Sequence, residues 1–328
     1  MESGVLDELD QRLLRALQLD GRTPFSRVAR ELGVSERTVA RRHQRLRALG
    51  LRVVGHPVPA RLGLTRWLLR LHCTPDAAGT VAEALARRPD TSWVTLAAGG
   101  TELYCALDVR TCDQRDSLLL EKLPRTPQVL SVGAHCMLRT FVGATSTWHA
   151  TRFGPTGGAG AAVDSGTPAA DGVPLSLDAT DRTLFTRLAR DGRATLPELA
   201  AAAGRSPSSV QRHLDRLRGE GALGFAVDFD PRLLGHHMAT RIWLNVAPAR
   251  LGAVGEALAT HPEIAFAAAV TGDANLVASG IFRDPAGLYE YLDRRVGALP
   301  GVQGIQTSPT LREVKRVAPA GPAAPVVS

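Results

Sequence analysis

The feature that most restricts the fold of this chain is an internal duplication. Residues 6–50 align with residues 177–221 at an offset of 171 without a gap, and 17 of the 45 aligned positions are identical. Further along the offset becomes 173, so that residues 83–86 and 256–259 both read Glu-Ala-Leu-Ala. A repeat of this length is far longer than the repeats of solenoid proteins. The chain therefore consists of two copies of a module, here called the first and the second copy.

The composition is that of a globular protein, with 44% hydrophobic and 22% charged residues. A length of 328 residues predicts two to four domains. The sequence has no uncharged apolar run near the ~18 residues of a membrane helix and no apolar signal region after its acidic start. We therefore expect a cytoplasmic protein without a membrane segment. The four cysteines lack CxxC spacing, so neither a metal site nor a cofactor is expected.

The first part of each copy predicts three helices. In the first copy, one apolar helical stripe consists of Leu6, Leu9, Leu13 and Leu17. The run Asp20-Gly21-Arg22 is expected to end this helix, with Gly21 as a left-handed cap. A second helix is predicted over 24–32, and Gly33-Val34-Ser35 is a tight turn into a third helix, with Ser35 as its N-cap. Two helices joined by a short turn that contains glycine are typical of a helix-turn-helix unit.

The second part of each copy alternates predicted strands and helices in the order βαββαβ. In the first copy the predicted strands are 66–73, 91–98, 103–109 and 128–138, and the predicted helices are 75–88 and 113–123. The second copy repeats this order between about residues 238 and 311. This order is typical of a ferredoxin-like half-sandwich, with both helices on one face of the sheet. The expected fold class is α+β, with two repeats of a helix-turn-helix unit followed by a ferredoxin-like βαββαβ domain.

The expected domain boundaries follow from the same pattern. The helix-turn-helix units are expected at residues 1–58 and 176–230, and the βαββαβ domains at 64–142 and 237–316. Between the copies, a segment rich in glycine, alanine, proline and serine predicts a flexible linker over residues 143–175. The similar composition of the last residues predicts a disordered tail at 317–328.

The third helix of the first copy has a basic face. Its core-facing line is predicted to consist of Val39, His43, Leu46 and Gly50. The opposite side, which would enter a major groove in this motif, carries Arg37, Arg41 and Arg45. Arg42 lies at the flank, where a phosphate contact and an ion pair are both open. His43 aligns with Leu214 of the second copy, so we expect a packed core histidine and not a ligand or base.

The two copies differ in charge at this place. Residues 22–52 contain nine arginines and two glutamates, whereas residues 193–223 contain five arginines and three acidic residues. An arginine bias of the whole genome would give both copies a similar number of arginines. The difference therefore indicates that the first copy neutralises phosphates of a nucleic acid. The predicted DNA-binding residues are Arg37, Thr38, Arg41, Arg42 and Arg45, with Arg212 and Arg216 in the second copy. The second unit is expected to bind DNA more weakly or to be structural.

Together these residues resemble the leucine-responsive/asparagine regulator family (Lrp/AsnC). The resemblance rests on Asp20-Gly21-Arg22 and Gly33-Val34-Ser35, and on residues 270–276 (VTGDANL) and 299–315 of the second copy. It implies a winged helix-turn-helix for double-stranded DNA and a ligand-sensing βαββαβ domain that pairs by its sheets. A two-copy chain resembles a covalent version of the family dimer. We therefore expect a transcription regulator that forms a homo-oligomer or an intrachain pseudo-dimer.

The resemblance also implies a site for an amino acid or a similar small effector. The effector loop of the family resembles Gly-x-x-Asp, and its last position is Asn275 in the second copy and Glu102 in the first. The negative charge that Glu102 adds would suit an ammonium group but repel a carboxylate. The implied effector residues are Gly272, Asp273, Asn275 and Thr307. The alternative is that Gly-Asp-Ala-Asn only connects two strands, since these residue types favour turns.

Two further functions remain open. The siroheme decarboxylases resemble the same tandem architecture, and His236, His237 and Arg241 are the local candidates for an anionic tetrapyrrole. The other histidines and carboxylates have neither metal-ligand spacing nor a Ser/His/Asp pattern, so no catalytic residue is assigned and an enzyme is not expected. A third possibility is a co-regulator that pairs with other family members and binds DNA poorly, which the near-neutral second helix-turn-helix unit favours.

Overall fold

The computed structural model describes residues 6–143 and 174–316. The expected disordered tail at 317–328, and all but the ends of the expected linker at 143–175, lie outside the described residues. Within the described residues, each copy contains a helix-turn-helix unit and a βαββαβ domain, in agreement with the predicted fold class.

The first helix-turn-helix unit consists of α1 (Glu8–Leu19), α2 (Phe25–Leu32) and α3 (Glu36–Ala48), followed by strand β1 (Arg52–Pro57). The predicted N-cap is confirmed, because the Ser35 hydroxyl accepts a hydrogen bond from the Thr38 amide at 3.1 Å. Such a cap satisfies one of the amides that a helix start leaves unpaired. Gly33 has a φ of 69°, a left-handed conformation that allows the tight turn between α2 and α3.

The first βαββαβ domain consists of β2 (Thr65–Cys73), α4 (Ala78–Ala86), β3 (Thr91–Ala97), β4 (Glu102–Val109), α5 (Cys112–Asp116) and β5 (Val129–Val142). The chain continues from α5 as a π-helix over Ser117–Lys122. The type and order of the elements agree with the sequence prediction. The helices cover one face of the sheet, where Leu69, Leu103 and Leu107 are fully buried.

The second copy repeats this arrangement. Its helix-turn-helix unit consists of α6 (Ala179–Leu188), α7 (Leu196–Ala203) and α8 (Pro207–Gly219), followed by β6 (Leu223–Asp228). Its βαββαβ domain consists of β7 (Met238–Val246), α9 (Leu251–Thr260), β8 (Ile264–Val270), β9 (Leu276–Phe282), α10 (Pro285–Glu290) and β10 (Val302–Lys315). None of the helices in the described parts of the chain combines the length and the apolarity needed to span a bilayer.

Two glycines differ from the sequence prediction. Gly21 does not have a positive φ, so the expected left-handed cap was wrong, and α1 ends with Asp20 in an extended conformation. Gly21 instead lies in a close contact, where an added Cβ would be 2.7 Å from Cγ1 of Val53. Gly50 is exposed and not core-facing, because α3 already ends at Ala48 and Gly50 turns the chain with a φ of 95°.

The strands that follow the two helix-turn-helix units pair with each other. β1 and β6 form an antiparallel ladder that extends from Arg52 opposite Asp228 to Pro57 opposite Leu223. The resemblance implied a winged unit in each copy. In the structure, neither unit has a two-stranded wing of its own within the described ranges. Each unit instead contributes one strand to a shared two-stranded sheet. Backbone hydrogen bonds therefore join the two units.

The eight strands of the two βαββαβ domains close into one barrel in the order β10-β3-β4-β2-β5-β8-β9-β7. Each copy contributes a four-stranded ferredoxin-like sheet. The copies meet along two antiparallel seams, one between β5 and β8 and one between β10 and β3. Because closure pairs every edge, none of these eight strands has a free edge to pair with another chain.

Aromatic and charged side chains from both copies fill the barrel. Trp243 is 2% exposed and donates a hydrogen bond from Nε1 to the Tyr104 hydroxyl at 3.3 Å. The guanidinium of Arg70 lies over the Trp243 ring, 5.3 Å from its centroid. Arg241 lies at the same distance, 5.3 Å, from the Tyr104 ring. Trp243 is therefore a packed core residue whose partners Tyr104 and Arg70 come from the other copy.

Candidate nucleic-acid interface

The inner side of α3 is packed as the sequence predicts. Val39, His43 and Leu46 are all buried, and His43, the most accessible of them, is 8% exposed. The His43 ring packs against Phe25, with their centroids 5.0 Å apart. Burial, helped by the nearby cations Arg193 and Arg47, lowers the pKa of His43 to about 4. His43 is thus a neutral core residue, and the prediction that it is packed is confirmed.

The outer side of α3 presents two arginines to solvent. Arg37 and Arg41 are exposed and stand one helical turn apart. Neither has a hydrogen bond or an ion pair with any residue that the structure describes. Thr38, between them in sequence, is half-buried, and its hydroxyl shares a hydrogen bond of 2.8 Å with the Ser35 hydroxyl. Arg37 and Arg41 are therefore free to contact a ligand.

Two other predicted DNA-binding arginines are engaged within the protein. Arg45 Nη1 donates to Asp10 Oδ2 at 2.6 Å, and Arg42 Nη1 donates to Asp10 Oδ1 at 3.0 Å. Asp10 lies on α1 and is fully buried. Arg42 also bonds Asp7, and this hydrogen bond, with one from the Asp10 amide, lowers the pKa of Asp7. The two arginines thus hold α3 against α1, and the ion pair left open for Arg42 is present.

The second copy has an equivalent arrangement with a different cation. Asp181 is fully buried and accepts hydrogen bonds from His213 Nδ1 at 2.8 Å and Arg216 Nη2 at 2.5 Å. Burial alone would raise the pKa of Asp181, but the bonds from His213, the Asp178 backbone and Arg216 lower it. Ligand atoms of Asp178, Asp181 and His213 lie within 4.8 Å of one another, as a metal site requires. The Arg216 guanidinium on the same carboxylate opposes a second cation there.

The outer face of α8 is less basic than that of α3. Arg212 is exposed at the position of Arg41, and no residue in the described ranges pairs with it. The position of Arg37 holds Ser208, whose hydroxyl bonds the N-cap Ser206 at 3.1 Å. On the next turn, Gln211 Nε2 donates to Asp215 Oδ1 at 2.7 Å. The second unit therefore offers Arg212 as a free cation beside a carboxylate.

The run Asp-Gly-Arg of each copy forms the contact between the two helix-turn-helix units. Arg22 donates to Gly192 O at 2.7 Å and to Ala194 O at 2.9 Å. In return, Arg193 donates to Gly21 O at 2.7 Å and to Thr23 O at 3.0 Å. We did not expect this role from the sequence. The sequence did contain a signal for this contact, because the whole run is identical in both copies. An exposed helix end does not require such identity.

Reciprocal ion pairs tie the end of each recognition helix to the same contact. Arg47 of α3 lies 3.8 Å from the carboxylate of Asp191, and Arg218 of α8 lies 3.5 Å from that of Asp20. Arg47 and Arg218 are equivalent positions, as are Asp20 and Asp191. These exposed pairs are individually weak. Together with the β1–β6 ladder, they fix the orientation of α3 relative to α8.

The implied effector loop lies between β8 and β9. Gly272 has a φ of 116°, and a Cβ there would be 2.5 Å from Nδ1 of His135, which itself bonds the Thr271 carbonyl at 2.7 Å. Asp273 is exposed beside it. The side chain of Asn275 is occupied by the backbone of Val246, since Oδ1 accepts from Val246 N at 2.9 Å and Nδ2 donates to Val246 O at 2.7 Å.

The structure does not gather the four implied effector residues in one cavity. Thr307 is exposed on β10 and pairs with Ile242, roughly 13 Å along β7 from Val246 at ~3.3 Å per residue. A cavity of about 440 Å³ lies elsewhere in the second copy, lined by Gly235, His237, Met238, Arg283, Asp284, Pro285, Pro309 and Thr310. Asp273 remains the exposed ionisable group of the implied set.

In the first copy, Glu102 does not offer a free carboxylate at the equivalent loop. It is 2% exposed, bonded by Arg70 Nε at 2.5 Å and by the Tyr104 hydroxyl at 2.6 Å. Burial would raise the pKa of Glu102, but hydrogen bonds from Ser308, Tyr104 and Arg70 lower it. The idea that this carboxylate suits an ammonium ligand was wrong, because the barrel residues already satisfy both of its oxygens.

The three residues considered for tetrapyrrole chemistry point to different places. His236 is buried, whereas His237 is exposed and lines the cavity with Arg283 and Thr310. Arg241 points into the barrel, where Nη1 donates to Ser279 Oγ at 2.6 Å. These side chains therefore do not form one anion site.

Comparison with known proteins finds two matches to the AsnC-type helix-turn-helix domain, at residues 6–47 and 177–218. The Lrp/AsnC ligand binding domain matches residues 241–319. The HTH-type transcriptional regulator FL11 of Pyrococcus horikoshii is 31% identical over 142 residues, which cover 43% of this chain and 93% of that relative. The regulator LrpA of Mycobacterium tuberculosis is 39% identical over 90 residues, 25% of this chain and 60% of the relative.

A solved structure resembles nearly the whole chain. The siroheme decarboxylase NirDL is similar with a TM-score of 0.60, covering 94% of this chain and 93% of its own, at 15% sequence identity. At this identity the similarity concerns the fold. The fold is thus shared over nearly the whole length of both chains.

Proposed function

The chain belongs to the Lrp/AsnC family of DNA-binding transcriptional regulators, and we propose that its first recognition helix, α3, makes the main contact with a specific operator. Arg37 and Arg41 contact DNA in this proposal. Arg42 and Arg45 position the helix, and Thr38 supports its N-terminus. The chain acts as an intrachain pseudo-dimer that meets DNA in the cytoplasm. In this proposal the two half-sites on DNA are about one turn of the double helix apart, as for paired units of this motif.

One observation carries the proposal. Arg37 and Arg41 are the exposed arginines on the outer face of α3 that have no partner among the described residues, although this part of the chain is rich in acidic partners for other arginines. An unpaired guanidinium matches the two acceptors of a guanine edge or a phosphate. The buried Asp10 contacts keep α3 in place while these two side chains remain available.

The test is DNA binding at several salt concentrations. The double variant Arg37→Ala/Arg41→Ala should bind about tenfold or more weakly, and the slope of log K against log salt should flatten by up to about 2. The matched control is Arg87→Ala/Arg294→Ala, which removes two exposed arginines from the helix layer of the βαββαβ domains. Equal loss in both variants, or no salt-dependent binding by the parent protein, would contradict the proposal.

We further propose that the second βαββαβ domain senses an amino acid or a similar small molecule near Gly272 and Asp273. The exposed Asp273 carboxylate suits an ammonium group. Amino acids should raise the Tm of the protein, and Asp273→Ala should remove the increase. The exposed Asp293→Ala is the control. An unchanged increase in Asp273→Ala would place the effector elsewhere.

We propose that the chain is not an enzyme. Arg241 is committed to Ser279 inside the barrel, and His237 lines a separate cavity. Titration with siroheme should therefore give no saturable change in visible absorbance, and release of carbon dioxide from it would overturn this proposal.

The co-regulator alternative predicts that DNA binding needs another family member. Size-exclusion chromatography of the purified chain with DNA separates the two cases.

A further inference from the structure

We propose that this chain recognises an asymmetric, directional DNA site, with α3 and α8 reading two different half-sites. The inference rests on the proposed function, since it assumes that the chain binds a specific operator. It adds that the operator is not a palindrome and that the protein binds it in one orientation.

The two recognition helices, α3 and α8, are held in equivalent positions. The exchange of hydrogen bonds between Arg22 and Arg193 is reciprocal, and so are the ion pairs of Arg47 and Arg218. The β1–β6 ladder relates the two units in the same way. If one recognition helix enters a major groove, the other is presented to DNA with the same geometry.

The outer faces of α3 and α8 differ at matched positions. Arg37 is replaced by Ser208 near the helix N-terminus, where recognition helices of this motif contact base edges. Gln44 is replaced by Asp215, and Ala40 is replaced by Gln211. All of these side chains except the half-buried Ala40 are exposed.

Arg41 and Arg212 are a shared pair of exposed arginines without a partner among the described residues. We expect guanine opposite both arginines, because arginine is the commonest reader of guanine. Around Arg212, the carboxylate of Asp215 can accept from a cytosine amino group, and Gln211 can pair with adenine. Around Arg41, the additional Arg37 favours a second guanine. The half-sites therefore share one base and differ at its flanks.

The barrel residues disfavour pairing of a first copy with another first copy, or of a second copy with another second copy. Arg70 and Trp243 are equivalent positions at the offset of 173, and they contact each other at 5.3 Å in the barrel. Pairing of two first copies would bring Arg70 against Arg70. Tyr104, which lies under Arg241, is equivalent to Val277, so pairing of two second copies would lose that ring contact as well.

As a consequence, α3 is always accompanied by α8. This holds even if two chains exchange halves, because the barrel still needs one first and one second copy. The asymmetry of the two recognition helices is thus transmitted to every bound complex, and the site must have a direction.

The experiment is selection of binding sites from random double-stranded DNA. The parent protein should enrich a site with two dissimilar half-sites, and bind it about tenfold or more tightly than a palindrome built from either half. The variant Ser208→Arg/Gln211→Ala/Asp215→Gln gives α8 the outer face of α3. It should instead prefer the palindrome of the first half-site. All three replaced residues are exposed, and a urea unfolding curve verifies that the variant folds.

The outcomes separate this inference from the proposed function. A palindromic site with equal half-sites for the parent protein would overturn the inference while leaving the regulator intact. An unchanged second half-site in the triple variant would also overturn it, because α8 would then not read the bases. Absence of any enriched sequence, together with absence of salt-dependent binding, would instead contradict the proposed function.

Discussion

Arg22 and Arg193 occupy equivalent positions in the two helix-turn-helix units, and each donates its guanidinium to two backbone carbonyls of the other unit. Each guanidinium also lies over an aromatic ring, Arg22 over Phe225 at 5.9 Å and Arg193 over Phe25 at 4.5 Å. Because the acceptors are backbone atoms, this contact fixes the two units relative to each other through their main chains.

Replacing Arg22 by alanine should therefore destabilise the protein. The variant leaves the carbonyls of Gly192 and Ala194 without their charged donor, and a hydrogen bond to a charged group contributes about 1.5–3 kcal/mol. We expect a loss of about 2 kcal/mol in the free energy of unfolding, measured with urea. Arg27→Ala, which removes an exposed pair with Glu31 on α2, should lose less than about 0.5 kcal/mol. If Arg22→Ala lost no more stability than Arg27→Ala, the contact between the two units would not contribute to the stability of the protein.

The close approach at the same contact can be tested with glycines. A Cβ on Gly192 would lie 3.0 Å from backbone atoms of Val53 and Val54, which cannot move aside like a flexible side chain. Gly192→Ala should cost about 1–3 kcal/mol. Gly219→Ala is the matched control, since nothing lies within 4 Å of the added Cβ and the residue is helical, so it should be neutral or stabilising by up to about 1 kcal/mol. Thermal unfolding of both variants shows whether each substitution lowers or raises the stability of the protein.

His43 should make stability depend on pH. An unfolded histidine has a pKa of about 6.5, and burial lowers the pKa of His43 to about 4. The unfolded state therefore binds the proton first as the pH falls. This contribution to stability is complete above about pH 6.5 and is lost as the pH drops toward 4, with about 2 kcal/mol lost by pH 5.

The second copy provides the control for this effect. Leu214 occupies the equivalent position and is 4% exposed, so His43→Leu should fit the same packing. Urea unfolding at pH 7.5 and pH 5 should give a smaller difference for His43→Leu than for the parent protein. An identical pH dependence in both would mean that other groups cause it.

Local patterns in the sequence were sufficient to predict the helices and strands. The leucine spacing, the cap Ser35 and the left-handed Gly33 act within a few residues, so the helices and the helix-turn-helix turn could be predicted. Alternation of strands and helices predicted the βαββαβ order in the same way. The duplication then indicated that two such modules exist and that they can pair.

Contacts between the copies could not be predicted from those patterns. Arg45 falls on the outer side of α3 by helical geometry, yet its long side chain reaches back to Asp10 on another helix. Gly21 looked like a helix cap because its contact with Val53 forms only after the units pair. Asn275 matches a family loop by position, but its amide is used by the backbone of Val246. In each case the partner is distant in sequence.

Arg41 and Arg45 of α3 were both predicted to bind DNA, but their substitutions should have different effects on stability and on DNA affinity. Arg45→Ala leaves the buried Asp10 with Arg42 as its side-chain donor among the described residues, and we expect a loss of about 1–3 kcal/mol in stability. Arg41 is exposed and unpaired among the described residues, so Arg41→Ala should change stability by less than about 0.5 kcal/mol. DNA affinity should show the reverse order, with Arg41→Ala weakened by about fivefold or more. Each variant is measured by urea unfolding and by DNA titration under conditions where it remains folded. If Arg41→Ala binds DNA like the parent protein while folded Arg45→Ala does not, then Arg45 contacts the DNA and the assignment of the two arginines must be exchanged.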